Sequence, residues 1–253
     1  MSFDVSGDAY DRFMGRYSIP LAPVFADFAH VDGGQRVLDV GCGSGVLTEE
    51  LARRVGAEQV SGVDPSPLLE ACAERVPGAE LKQGAAEALP WPDDSFDAAV
   101  AQLVIHFMED SAAGVGEMAR VTRPGGVVAA CSWDFGGGME VLRVYWEAAR
   151  ELDDDLSGER AFGKLEELDA LWRELGFEEV EAGPLEVSTE YEDFDELWDS
   201  FLLGVGPAGR YAVSLPPERQ DALREEYRRR LGEPTGRIPM RARAWAARGR
   251  VSG

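Results

Sequence analysis

The chain has 253 residues, with 47 Asp and Glu against 25 Lys and Arg and a net charge of −22. That length buries one full α/β core with an elaboration, or at most two small domains. Its 45% apolar and 28% charged residues exclude a disordered or fibrous chain. No run of about 18 apolar residues occurs, and Met1 to Tyr10 lack the basic-then-apolar profile of a secretion signal. A cytoplasmic protein with no membrane partner is expected. Cys42, Cys72 and Cys131 are odd in number and scattered, which reads as free thiols in a reducing compartment with no metal site. The charge is uneven: residues 151–200 carry 19 acidic and three basic side chains, and residues 201–253 carry five and 11. Nucleic acid needs a basic phosphate-neutralising face, so it is not an expected partner. A monomer or homodimer is.

In chain order, Arg36 to Val40 reads as a short buried strand. It runs into Gly41-Cys42-Gly43-Ser44-Gly45, after which Val46, Leu47, Leu51, Ala52 and Val55 recur at helical spacing. Gln59 to Val63 is a second strand ending at Asp64, and Pro65-Ser66-Pro67 opens a helix through Glu74. Ala79 to Gln83 and Phe96 to Ala101 are the third and fourth strands. A helix follows near 112–121, then an Arg123-Pro124-Gly125-Gly126 turn and a fifth strand over Val127 to Ser132. Strands alternating with helices predict a doubly wound, mostly parallel α/β sheet.

Beyond about residue 134 the pattern changes. Helices are expected at 138–152 and roughly 164–175, with the aspartates Asp153 to Asp155 between them. Two further strands follow: Phe177 to Tyr191, broken near Gly183-Pro184, and Pro239 to Arg250. Helical patterns near 193–203 and 217–230 lie between them. Glu178, Glu179, Glu181, Glu186 and Glu190 on one strand face Arg237, Arg241, Arg243, Arg248 and Arg250 on the other. Opposite charges across an antiparallel pair are mildly favourable, so a terminal hairpin carrying a helical insertion is the simplest topology.

The glycine loop after the first strand lets a ligand approach the backbone at a helix start. It is not the dinucleotide fingerprint, because Val46 stands where the third glycine belongs. Asp39 would repel a pyrophosphate and suits a cationic amino group. Asp64, ending the second strand, is placed to accept from ribose hydroxyls. A nucleoside that lacks phosphates and carries an ammonium meets these conditions, and S-adenosylmethionine is one. Taken singly, Gly41 and Gly43 are also ordinary strand-to-helix turns, Asp64 a helix cap and Arg16 a solvated charge.

The segments Val37 to Gly45, Gly62 to Ser66, Gly84 to Pro90, Asp94 to Asp97 and Glu117 to Gly126 together resemble the class I S-adenosylmethionine-dependent methyltransferases of the type 11 group. The likeness covers roughly residues 8–135. It implies a Rossmann-like seven-stranded sheet with an antiparallel last strand, and one domain over 1–253. Within it, a helical cover would span 1–30, a cofactor-binding half 31–135 and a substrate-side half 136–253 with an insertion at about 192–236. By the same resemblance, Gly41, Cys42 and Gly43 would pass under the methionine part, and Asp64 would hold the ribose. Pro65 would pack near the adenine, Ala86 would offer it a backbone N–H, and Gln102 would lie beside the methionine. Tyr10 would shield the site and Arg16 would pair with the methionine carboxylate. Relatives place an acidic residue where this chain has Ala85, so the adenine would rest on backbone and apolar contacts there.

Methyl transfer needs alignment and exclusion of water, and a base only where the acceptor must lose a proton. His106, after the fourth strand, is either that base or a hydrogen-bonded histidine packed beneath the cofactor. Phe13, Tyr17, Trp133, Tyr145, Trp146 and Trp198, with Phe201 and Tyr211, are candidate walls for a small, partly apolar acceptor. Two other functions fit parts of the pattern: an S-adenosylmethionine-binding regulatory protein without turnover, and an NAD-dependent oxidoreductase. The second is opposed by Asp39, by Val46 and by the lack of a Tyr-x-x-x-Lys pair.

Overall fold

A computed structural model of the protein describes residues 11–153 and 164–253. Tyr10, Asp154 and Asp155 therefore lie outside the described residues. The apolar runs form strands β1 (Val37–Val40), β2 (Val60–Asp64), β4 (Phe96–Gln102) and β5 (Thr122–Trp133), and the more polar Glu80–Gln83 forms β3. β1 and β2 are buried at every position, as strands covered on both faces must be, while β3 is exposed at both ends. With β6 (Glu178–Tyr191) and β7 (Ile238–Arg250) they make a seven-stranded sheet in the order β3-β2-β1-β4-β5-β7-β6. The first five strands pair in parallel, with Val37 opposite both Val60 and Ala98. The last two are antiparallel.

The helices are α1 (Arg16–Phe28), entered from a short π-helix at Asp11–Gly15, α2 (Val46–Val55), α3 (Leu69–Arg75), α4 (Ser111–Val121), α5 (Glu140–Leu152) and α6 (Leu165–Glu174). The insertion before β7 holds α7 (Phe194–Leu202), α8 (Gly206–Ser214) and α9 (Pro217–Arg230). None of the described helices is long and apolar enough to cross a membrane.

The structure departs from the sequence reading in four places. The expected turn at Arg123 to Gly126 is a bulge inside β5, where the register with β4 jumps from Phe96 opposite Thr122 to Ala98 opposite Val127. The bulged residues are engaged by the chain end, through Gly125 N–H to the Val251 carbonyl and Val251 N–H to the Gly126 carbonyl. β6 runs unbroken through Gly183-Pro184, which an edge strand tolerates because the missing N–H faces away from the sheet. α3 starts only at Leu69, because Ser66 is tied back to Asp64. α8 had no helical signature; its Gly206-Pro207 start and Gly209 hide it, although Pro suits a first turn.

The charge complementarity of β6 and β7 is realised at three positions. Arg250 pairs with Glu179 at 2.7 Å, Arg248 with Glu181 at 2.7 Å and Arg237 with Glu190 at 2.8 Å. Arg243 turns instead to Asp134, at 2.6 Å.

The described residues fall into two compact units, where the sequence suggested one domain. One unit takes its described residues from Met1–Pro20, Trp133–Phe162 and Glu186–Arg243, the other from Leu21–Ser132, Gly163–Leu185 and Ala244–Gly253. The second contains the nucleotide-type motifs and will be called the cofactor unit. β6 and β7 contribute residues to both. In the cofactor unit the core is aliphatic around Leu38, Val63 and Val128, closed by Trp172, whose indole donates to the Val128 carbonyl at 3.1 Å. In the other unit the core is aromatic: Tyr145 stacks on Phe201 at 4.3 Å, and Tyr227 lies edge-on to Phe201 at 5.6 Å.

Candidate active site

Three glycines shape the loop between β1 and α2 in the cofactor unit. Gly41, Gly43 and Gly45 all have positive φ, at +73°, +51° and +88°. At Gly41 a Cβ would also lie 2.6 Å from Val104 Cγ1, and at Gly45 one would lie 2.9 Å from Cys72 Sγ. At Gly43 nothing stands within 4 Å of that position. The middle of the loop is thus open, while its two ends are packed. Gly41 and Cys42 both donate to the Val63 carbonyl, at 2.8 and 3.1 Å, which moors the loop to the end of β2.

Two carboxylates flank this loop. Asp64, almost buried, accepts from Gly43 N–H on one oxygen at 2.8 Å and from Ser66 N–H and Oγ on the other at 2.8 and 2.5 Å. It therefore does cap the segment after Pro65, and in the same position it fixes the glycine loop. Asp39 is 1% exposed and accepts from Thr48 Oγ at 2.7 Å. Burial pushes its carboxyl up to about 8, against the pull of the Thr48 bond. A buried carboxyl in that condition regains its charge when a cation arrives beside it.

Pro65 and Ala85 are exposed at the ends of β2 and β3, and Ala86 is half-buried against the core. Gln102 ends β4, level with Cys131 of β5, and Leu103 after it has φ +65°. His106 lies in a 3-10 turn, Ile105–Phe107, with Nδ1 3.1 Å from Ser132 Oγ and its ring 4.0 Å from that of Phe107. Burial lowers its pKa to about 4, so the ring is neutral at neutral pH. Thr48, Ser66 and Ser132, which complete these contacts, are not among the candidate site residues of the sequence reading. Each is set by tertiary placement; only Ser66, two residues after Asp64, had a local signal as an Asx-type turn.

In the other unit, Arg16 pairs with Glu196, donates to the Glu190 carbonyl at 2.8 Å and lies 4.4 Å above the Tyr191 ring. Tyr17 is fully buried, its hydroxyl 3.1 Å from that of Tyr191, and its ring meets Trp133 edge-on at 6.3 Å. Phe13 packs on Phe201 at 5.4 Å, as does Trp198 at 6.3 Å. Tyr145 donates to the Ala208 carbonyl at 3.0 Å. These aromatics are core to their unit. Trp146, 5.7 Å from Tyr211, lines a cleft.

Open space over Gly43, a hydrogen-bond acceptor at Asp64 and a buried carboxyl at Asp39 suit a phosphate-free nucleoside with an ammonium. Residues 38–130 match the methyltransferase-domain family. Along 94% of its length the chain is 30% identical to a malonyl-[acyl-carrier protein] O-methyltransferase of Halorhodospira halophila, covering 82% of that protein. It is 39% identical over 103 residues to a demethylmenaquinone methyltransferase of Desulfitobacterium hafniense, a match of 38% of this chain and 41% of that one. The YcgJ protein of Bacillus subtilis shares the fold, with a TM-score of 0.55 at 19% identity over 94% of this chain and 99% of the other. The chain belongs to the class I S-adenosylmethionine-dependent methyltransferases. It is a transferase, and its cofactor is S-adenosylmethionine.

Proposed function

We propose that the protein methylates a small, partly apolar acceptor whose nucleophilic atom arrives already deprotonated, a carboxylate oxygen being the type. The flanking of an open glycine loop by Asp39 and Asp64 carries the cofactor half of this reading. S-adenosylmethionine, when bound, supplies a methyl carbon on a sulfonium that an acceptor lone pair displaces in line. Asp39, whose charge is suppressed by burial, would be recharged by the ammonium. Gly41, Cys42 and Gly43 would underlie the methionine part, with Gln102 beside it, and Asp64 would accept from the ribose. Pro65 and Ala86 would meet the adenine, the latter through its N–H, and Ala85 would leave the adenine amino group to backbone and water. Arg16, which the resemblance pairs with the methionine carboxylate, is already paired with Glu196.

The acceptor half rests on His106. With a pKa near 4 it is too weak a base to take a proton from a phenol or an ammonium, and its contact with Ser132 Oγ suits a packing role. A carboxylate needs no base. The Halorhodospira relative, named as an O-methyltransferase of malonyl-[acyl-carrier protein], agrees with that acceptor type.

Incubation with methyl-labelled S-adenosylmethionine and a panel of carboxylates, phenols and amines tests the reading. Label should appear as a methyl ester, and His106→Asn should keep most of the rate. Transfer to phenols alone, abolished in His106→Asn, would reverse the acceptor assignment. Binding of the cofactor without transfer to any acceptor would point to a regulatory protein.

A further inference from the structure

The unit that contains Trp133 and the insertion holds a cleft of about 420 Å³. It is bounded by Gly137 and Gly138, the first turn of α5, and neighbouring positions of β6 and β7. Three guanidiniums line it, Arg143 from α5 and Arg241 and Arg243 from β7. Arg243 is engaged by Asp134 through two bonds at 2.6 and 2.9 Å, and Arg143 by Glu147 at 3.0 Å and by Glu140, also in the lining, at 3.9 Å. Arg241 is engaged only through its backbone N–H, which donates to Glu140 at 3.0 Å; its side chain has no carboxylate among the described residues. Glu186 stands across from it, exposed on β6.

A second cleft, of about 260 Å³, shares Gly137 and Arg143 with the first and is walled by Phe135, Leu142 and Trp146. Trp146 is 7% exposed, and its buried indole N–H has no acceptor among the described residues. A buried donor without a partner is rare and unfavourable, and an acceptor atom delivered by a ligand would satisfy it.

We propose that the paired clefts bind a small organic anion, with a carboxylate or phosphate against Arg241 and Arg143. Its flat or aliphatic body lies along Phe135 and Leu142, and a carbonyl or ether oxygen accepts from Trp146 Nε1. Arginine suits this head group because its fork of donors matches two anion oxygens at once. In a chain of net charge −22 an anion gains nothing from the protein's long-range field, so affinity must come from these local contacts. Glu186 opposes the head group. Its removal should help binding.

The proposal does not rest on the methyl-transfer reading, and its test uses the full chain without S-adenosylmethionine. Calorimetry is done with benzoylglycine, which combines a carboxylate, a carbonyl and a flat body, and with phenyl phosphate as the phosphate arm. Benzamide lacks the anion and acetate lacks the body. At least one of the two anions should saturate the protein, at least about tenfold more tightly than benzamide or acetate. Arg241→Gln should weaken that binding by about tenfold, Glu186→Gln should tighten it, and Trp146→Phe should weaken benzoylglycine a few-fold. Because Arg241 is exposed and has no ion pair, its variant should melt as the wild type does. The inference fails if neither anion binds at millimolar concentration, or if folded Arg241→Gln binds as well as the wild type.

Discussion

In the cofactor unit the polar groups that matter are buried and held by the backbone. Asp64 is fixed by the amides of Gly43 and Ser66, and Asp39 stands almost dry with one hydroxyl partner. In the other unit the interior is aromatic, and charge stays at the rim as arginine–glutamate pairs such as Arg16 with Glu196. The first arrangement holds its polar groups in one fixed geometry. The second encloses apolar volume with few directional constraints.

This contrast can be broken experimentally. Trp172→Ala removes a fully buried indole and its bond to Val128, and should destabilise the cofactor unit by about 3–5 kcal/mol in denaturant unfolding. Gly41→Ala meets both a φ of +73° and Val104 Cγ1 at 2.6 Å; about 1–3 kcal/mol of stability should be lost, together with cofactor binding. If Gly41→Ala bound the cofactor normally, the loop would not be the preorganised element described here.

Asp39 gives a pH signature. Its folded carboxyl titrates near 8 against an ordinary 3.8, so between those values the folded chain holds a proton that the unfolded chain has lost. The stability of the ligand-free protein should therefore fall as pH rises through this window and level off above pH 8 or so. Asp39→Asn should flatten that part of the profile. Glu196→Gln, at a half-exposed pair, should change stability by less than about 1 kcal/mol. A larger loss would mean that the rim pairs carry the second unit.

The legible parts of the sequence were those whose signal is local. β1 to β5, the glycine loop and Asp64 announced themselves through short apolar runs, turn glycines and fixed spacing. The charge ladder of β6 and β7 was also readable, because both strands display it in sequence. What the sequence could not carry was choice among distant partners: Arg243 taking Asp134 over Glu186, Ser132 meeting His106, or Arg16 meeting Glu196. α8 was hidden by its glycines, and the bulge in β5 by residues that equally suit a turn. For the candidate wall aromatics, helical spacing does not separate a core face from a cleft face. Only burial does.

Calorimetric titration of the wild type and Asp64→Ala with S-adenosylmethionine tests the central claim most directly. The wild type should bind one equivalent per chain. The variant, which loses the tie to Gly43 and, on the proposed reading, the ribose acceptor, should bind at least about a hundredfold more weakly, a loss of about 2.7 kcal/mol or more. Absence of binding by the wild type at millimolar ligand, or equal affinity in a folded Asp64→Ala, would contradict the account.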